Sequence, residues 1–278
     1  MVKSIGIISI KGGVGKTSVT SALAASLAND FGKKVLVVDG NFTAPNLGLH
    51  LGLVNPETTI QQVIDGKIKA KDAIYQTEYG FDILPGALIY GNKIKLSPFK
   101  LNEKLREVRR LYDLILIDSS PNMNDEVLSA MLASDELIVV TTPDYVTLST
   151  TLRAIKLAKE KKTPIIGLVV NKAYGKDFEL SLQEIEEASG VSVLAVLNHD
   201  TDVLKALSEC VPSTMHDRSS NVNTEYRKLA AALAGEEYEE SGFWEKMKRV
   251  FSFSHSVPKQ EVNRSVLKNE RRANPFYM

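Results

Sequence analysis

Short, continuous apolar runs recur along the chain, and the longer stretches between them carry apolar residues at helical spacing. The runs lie at residues 5–10, 33–39, 81–86, 112–118, 137–143, 165–172 and 191–197. Unbroken apolar runs are typical of parallel strands that are buried on both faces of a sheet. The stretches between them favour helices at residues 19–31, 58–66, 101–111 and 147–161. This alternation predicts a single α/β domain with a doubly wound, mostly parallel sheet and helices on both of its faces.

The first apolar run leads into a glycine-rich loop and then into a predicted helix. In such a unit the N–H groups of the loop and of the helix N-terminus converge on one spot that binds phosphate oxygens. We expect Lys16 to reach the β- and γ-phosphates of a nucleotide, and the Thr17 hydroxyl to ligate Mg²⁺. The general phosphate-loop motif has glycine where this chain has Ile10, so the loop departs from it there. The loop reads Lys11-Gly12-Gly13-Val14-Gly15-Lys16-Thr17-Ser18.

Two of the predicted strands end in a carboxylate. Asp39 closes the run at 33–39, and Asp118 closes the run at 112–118. Ligands of parallel α/β sheets gather at the carboxyl ends of the strands, so both side chains are aimed at the phosphate loop. Asp118 would hold Mg²⁺ through water, as hard cations prefer oxygen ligands.

The loop pattern K-G-G-V-G-K-[ST] resembles the deviant Walker A motif of the ParA/MinD family of P-loop ATPases. The resemblance extends over residues 2–235 and is closest to the MinD branch. It implies ATP and Mg²⁺ as ligands. It also implies that Lys11 is the signature lysine, which reaches across an ATP-dependent homodimer to the partner's phosphates. Asn171 is assigned to the adenine ring, with a strand-capping role as the alternative. A guanine-binding N-K-x-D box is excluded because Tyr174 stands at its fourth position.

The loop after Asp39 resembles the switch I segment D-x-D-x-x-x-x-N-L of the same family. Asp39, Asn46 and Leu47 match it, whereas Asn41 replaces its second aspartate. In relatives that aspartate helps to position the attacking water, so the resemblance implies slow hydrolysis. The alternative is that Asn41 only forms a turn. The catalytic residues expected from the resemblance are Lys11, Lys16, Asp39 and Asn41.

Composition narrows the classes of protein that fit. Lysine plus arginine (34) equals aspartate plus glutamate (34), so no overall positive field favours DNA, although local patches stay open. Cys210 is the single cysteine, which excludes an intrachain disulfide and favours a reducing cytoplasm. No run approaches the roughly 20 apolar residues of a transmembrane helix.

The character of the chain changes after Gly235. Residues 1–235 are expected to form the ATPase domain, 236–253 an acidic hinge with an amphipathic helix, and 254–278 a basic disordered tail. The apolar residues of 243–253 share one helical face, and cations flank it, as in helices that lie on anionic membranes. The segment resembles the membrane-targeting sequence of MinD; the alternative is a helix packed on the domain itself. The face consists of Phe243, Trp244, Met247, Val250 and Phe251, with Lys246, Lys248 and Arg249 beside it.

These features together predict an ATP-dependent dimerisation switch that hydrolyses ATP slowly. The resemblance implies a cytoplasmic protein that attaches peripherally to membranes when bound to ATP and recruits a regulatory protein partner. Spatial positioning, as in cell division, is the process that fits. The alternatives are a ParA-like DNA-partitioning ATPase, a flagellar-placement regulator, and a nucleotide-binding scaffold with little hydrolysis.

Overall fold

The computed structural model describes residues 2–88, 97–238 and 258–273, and within them one eight-stranded sheet. The strands are β1 (Lys3–Ile8), β2 (Val35–Gly40), β3 (Tyr75–Gln76), β4 (Asp82–Leu84), β5 (Leu114–Ser119), β6 (Glu136–Thr141), β7 (Ile165–Ala173) and β8 (Val193–Asn198). Their order in the sheet is β3-β4-β2-β5-β1-β6-β7-β8. Every neighbouring pair is parallel except β3 and β4. The predicted doubly wound, mostly parallel sheet is confirmed, and β3 is an added antiparallel edge strand.

The helices lie on both faces of this sheet. They are α1 (Lys16–Asn29), α2 (Ile60–Ile64), α3 (Lys100–Leu105), α4 (Asp125–Ala133), α5 (Tyr145–Glu160), α6 (Leu182–Ser189), α7 (Thr201–Ser208), α8 (Ser213–His216), α9 (Asn221–Ala234) and α10 (Lys259–Ala273). Short 3-10 turns occur at Leu49–Leu51, Ala70–Ala73 and Arg109–Leu111.

Alternate side chains of each central strand enter two different apolar cores. In β2, Val35 and Val37 pack with α1 and α9, whereas Leu36 and Val38 pack with α2, α3 and α4 on the other face. A third cluster continues this second face beneath α5 and α6. Because both faces are covered, neither alternating set of strand side chains meets water, which explains the unbroken apolar runs.

The helix predicted at residues 101–111 is shorter than expected. Helix α3 ends at Leu105, and a separate 3-10 turn follows at Arg109–Leu111. Leu101, Leu105 and Val108 are buried, but the side chain of Leu111 is 57% exposed. The apolar stripe that suggested one helix therefore does not continue to its last member.

The prediction of a disordered tail at 254–278 is wrong for residues 259–273. These residues form α10, which packs against α9 and β8. Leu267 joins the core beneath α9, and most other inward contacts are ionic. Low apolar periodicity had indicated disorder, but here carboxylates of the domain supply the docking surface. The ion pairs join Lys259 to Glu186, Arg264 to Glu225, Lys268 to Glu237, and Arg271 to Glu136.

The predicted membrane helix at 243–253 lies outside the described residues, as do Glu239 and Glu240 of the acidic hinge. Over the described ranges, none of the helices combines the length and apolarity that crossing a bilayer requires.

Candidate functional site

The loops at the carboxyl ends of β1, β2, β5, β7 and β8 surround a cleft of about 440 Å³. The glycine-rich loop lines it, together with the loops that carry Asn41, Asn46 and Ser119. Further lining comes from Asn171 and from the segment that joins β8 to α7, which includes His199. Ligands of open α/β sheets bind in such a crevice, so the strand topology brings the predicted site residues together.

The glycine-rich loop has the backbone shape of a phosphate cradle. Gly13 and Gly15 have positive φ angles of 77° and 95°, which side chains other than glycine rarely adopt. A Cβ on Gly15 would also collide with the amide nitrogen of Asn171. That amide nitrogen donates to the carbonyl of Val14 at 2.8 Å, so the end of β7 supports the loop directly. Asn171 therefore lies at the cleft, and its assignment to adenine stays a prediction.

Lys16 and Thr17 begin α1 at the centre of the site. The Lys16 side chain is buried, and burial lowers its pKa, which the nearby Asp118 partly offsets. The Thr17 hydroxyl donates to Asp118 Oδ2 at 2.7 Å and lies 3.4 Å from Asn46 Oδ1. Burial raises the pKa of Asp118 to about 6, against the opposing effects of the Thr17 hydrogen bond and the Lys16 charge.

Asp39 lies beside Asp118, in register with it on the neighbouring strand. Burial, and then the charge of Asp118, raise the pKa of Asp39 to about 8. The backbone N–H groups of Asn41 and Leu47 donate to its carboxylate at 3.0 and 3.2 Å and oppose that rise. Burial and mutual repulsion disfavour the ionised forms of these two neighbouring carboxylates, and a bound dication would favour the ionised forms. The donor set suits Mg²⁺, which Thr17 and Asp118 would hold while the glycine loop and Lys16 bind the phosphates.

Asn41 is buried and bonded to its own loop. Its amide nitrogen donates to the carbonyl of Ala44 at 2.5 Å, and its amide oxygen accepts from the N–H of Ala44 at 3.2 Å. The side chain lines the cleft, as the sequence predicts for this position. Its part in water positioning stays a prediction.

Lys11 stands at the head of the loop and makes contacts with the start of α5. Its Nζ donates to Thr147 Oγ1 at 2.5 Å and lies 3.7 Å from Asp144 Oδ1. Partial burial raises the pKa of Asp144, but hydrogen bonds from Thr142 and Thr147 and the charge of Lys11 lower it to about 2 overall. Asp144 therefore stays ionised near neutral pH and attracts the lysine.

Sequence reasoning missed the partners of Lys11 and a buried carboxylate, Glu126, at the start of α4. Asp144 caps α5 by accepting from the N–H of Thr147, and an aspartate directly before a helical stretch is a known capping signal. Glu126 had no comparable signal, because its contact is with Thr43, a residue distant in sequence.

Comparison with known proteins agrees with this geometry. A family model described as an AAA domain matches residues 2–167. An uncharacterized ATP-binding protein of Methanocaldococcus jannaschii is 35% identical over 239 residues, 86% of this chain and 90% of that protein. The cell division ATPase MinD of Pyrococcus furiosus gives a TM-score of 0.78 at 34% identity, over 83% of this chain and 97% of MinD. MinD of Pyrococcus horikoshii, solved with Mg-ADP, gives the same score and identity over 83% and 95%.

The structure combines a mostly parallel sheet with a phosphate loop that carries two lysines, and the Thr17 hydroxyl in that loop bonds to Asp118. The likeness to the relatives runs over most of their length as well as most of this chain. The chain belongs to the ParA/MinD family of P-loop ATPases, whose members use ATP with Mg²⁺.

Proposed function

We propose that this protein is an ATP-dependent dimerisation switch that controls attachment to an anionic membrane surface. ATP with Mg²⁺ would build a homodimer across the nucleotide, and slow hydrolysis would dissolve it. The dimer would carry two copies of the 243–253 segment, so the second insertion into a membrane becomes intramolecular and avidity rises by about 10²–10⁴. A regulatory protein partner would bind the membrane-attached form.

The position of Lys11 carries the proposal. Lys16 is buried at the start of α1, whereas the Lys11 side chain is 38% exposed and lies at the head of the glycine-rich loop. Its present partners are Thr147 and Asp144, at the surface start of α5. An exposed ion pair of this kind contributes on the order of 0.2–1 kcal/mol. The phosphates of a nucleotide bound to a second copy would offer Lys11 charge-assisted hydrogen bonds in place of these weak exposed contacts.

Light scattering on the full chain tests the dimer. We expect Mg-ATP to produce a dimer, while Mg-ADP and no nucleotide leave a monomer. Lys11→Ala should bind ATP yet stay monomeric, because only the contact with the partner's phosphates is lost. Lys16→Ala is the contrasting variant, and it should lose nucleotide affinity itself. Normal ATP-driven dimerisation by Lys11→Ala would contradict the proposal.

Two additions to the same experiment separate the alternatives. Anionic vesicles should bind the ATP form and not the ADP form. Short duplex DNA should have no effect, and DNA affinity that falls steeply with salt would instead favour a DNA-partitioning ATPase. A dimer that forms but never turns over ATP would favour a nucleotide-binding scaffold.

A further inference from the structure

We propose that Glu126 is a positioning residue for ATP hydrolysis: through Thr43 it fastens the loop at residues 41–46 to α4 in the arrangement that faces the phosphates. The inference rests on the proposed function in one respect, since it assigns the contact a purpose in hydrolysis. The contact itself joins the loop that follows β2 to helix α4, which follows the neighbouring strand β5.

Glu126 is a buried carboxylate whose acceptor oxygens are both used. The residue is 6% exposed, although it lies in the first turn of a helix beside an open cleft. The Thr43 hydroxyl donates to Oε1, and the Asn124 amide nitrogen lies 3.5 Å from Oε2. A carboxylate is favourable in the first turn of a helix, where the N–H groups of the turn point toward it. The position therefore tolerates a buried negative charge, which the Thr43 hydroxyl then uses as an anchor.

The α4 side of this contact is itself tied down. Asn124 caps α4 by accepting from the N–H of Val127 at 3.1 Å, and the Ser120 hydroxyl donates to the same amide oxygen at 3.1 Å. The N–H of Asn122 donates to the carbonyl of Ile10, immediately before the phosphate loop, at 2.8 Å. Glu126 thus follows a segment that is hydrogen-bonded to the residue directly before the phosphate loop.

The Thr43 side of the contact leads directly to residues of the cleft. Asn41 and Ala44 bond to each other around Thr43, and both line the cleft. The Oδ1 atom of Asn46, three residues farther on, lies 3.4 Å from the Thr17 hydroxyl. A displacement at Thr43 would therefore move Asn41 and Asn46 relative to the metal and phosphate ligands. Because phosphoryl transfer depends mainly on positioning, a shift of about 1 Å can cost about 10²-fold in rate.

The test compares Thr43→Val and Glu126→Met, singly and together, in the full chain. Both changes remove the hydrogen bond while nearly preserving side-chain size. We expect turnover at saturating Mg-ATP to fall about tenfold or more in each, while affinity for Mg-ADP changes by less than about threefold. The double variant should be no slower than the slower single one, because one contact is lost in all three. Thr43→Ser, which keeps the hydroxyl, should recover most of the turnover.

Asp125→Asn is the matched control, since it removes a charge from the same helix turn at an exposed neighbouring position. Hydrogen exchange of the amides at 42–47 gives a second readout that needs no hydrolysis. Thr43→Val and Glu126→Met should raise it equally, and Asp125→Asn should not. The inference is overturned if the double variant loses turnover by the product of the two single losses. It is also overturned if Thr43→Val turns over like wild type, or if hydrogen exchange at 42–47 does not change. A wild-type protein that binds ATP but never hydrolyses it would contradict the proposed function instead. Hydrogen exchange at 42–47 would then be the measurement that decides whether Glu126 holds the loop.

Discussion

Asn41 is the residue at which this chain departs most clearly from the switch I pattern of its family. Both polar atoms of its amide are bonded to the backbone of Ala44, which fixes the orientation of the side chain. An aspartate at this position could still accept from the N–H of Ala44, but it would lose the bond to the carbonyl and repel that oxygen. At this position the chain carries a neutral side chain that closes its own loop.

We expect Asn41→Asp to hydrolyse ATP faster than wild type, by about tenfold, since a carboxylate is a better acceptor for the attacking water. The same change should lower the free energy of unfolding by roughly 1 kcal/mol, the worth of one hydrogen bond. Steady-state turnover and thermal unfolding measure the two effects. Asn41→Ala serves as the control, because it removes the loop bonds without adding charge. A slower or unchanged Asn41→Asp enzyme would contradict the view that the missing carboxylate limits the rate.

Motif and spacing predicted which residues would lie together at the carboxyl ends of the strands, but not which partners they contact. Their roles in nucleotide binding and hydrolysis stay predictions. The positions of Lys16, Thr17, Asp39 and Asp118 follow from a strand, a glycine loop and two strand-ending carboxylates, all local features. The contact of Lys11 with Thr147 joins residues that are 136 positions apart, so periodicity carries no signal for it.

Helix α10 was not predictable from the sequence for the same reason, since its contacts are with residues distant in the chain. Strands and most helices were predictable because apolar periodicity reports burial against a core. Two of the side chains that α10 buries are arginines, Arg264 and Arg271, whose partners are carboxylates of other elements. Charge complementarity across the fold is invisible in a window of one sequence. The basic residues Lys259, Arg264, Lys268 and Arg271 of the tail are paired with carboxylates of the domain.

We expect the docking of α10 to weaken at low pH and at high salt. Burial raises the pKa of Glu136, but Arg271 and Lys3 outweigh it, so the pKa lies below its usual value of 4.5. Partial burial likewise raises the pKa of Glu186, but hydrogen bonds from Lys259, the Val193 N–H and Asn263 lower it overall. A lowered pKa means that the stabilisation is present above about pH 4.5 and is lost as pH falls through the lowered value. Salt near 1 M shortens the screening length to about 3 Å and should act in the same direction on the exposed pairs.

Hydrogen exchange of residues 259–273, corrected for intrinsic rates, measures this docking, with α9 as the internal reference. Glu186→Gln should lower protection of α10, because Glu186 holds Lys259 and Asn263. Glu187→Gln is the matched control, since Glu187 bonds to Gln183 within α6. Protection that is the same at low and high salt would show that Leu267 and the neutral contacts suffice.

In the whole molecule, we expect membrane attachment to depend on the aromatic side chains of residues 243–253. Deleting residues 242–278 would remove α10 together with the amphipathic segment, so substitutions are the sharper test. We expect Trp244→Glu/Phe251→Glu to abolish ATP-dependent co-sedimentation with anionic vesicles, because burying each aromatic side chain is worth about 1.5–3 kcal/mol. Val262→Glu/Val266→Glu places the same charges on the exposed face of α10, where the two valines are 49% and 55% exposed, and should leave vesicle binding intact. Vesicle binding that survives Trp244→Glu/Phe251→Glu would exclude 243–253 as the attachment site.

One carboxylate, Glu136 at the start of β6, binds both Lys3 and Arg271. Lys3 and Arg271, which lie near the two ends of the described residues, therefore meet at the amino ends of the central strands β1 and β6, opposite the cleft. Positions 3 and 271 can be joined by a short linker and new ends opened elsewhere, which is the geometric condition for circular permutation of the 3–271 segment. A permuted protein would keep the phosphate loop and its supporting strands intact while moving its free ends to a chosen surface loop. Reporter groups could then be attached without competing with α10 for the space around Glu136.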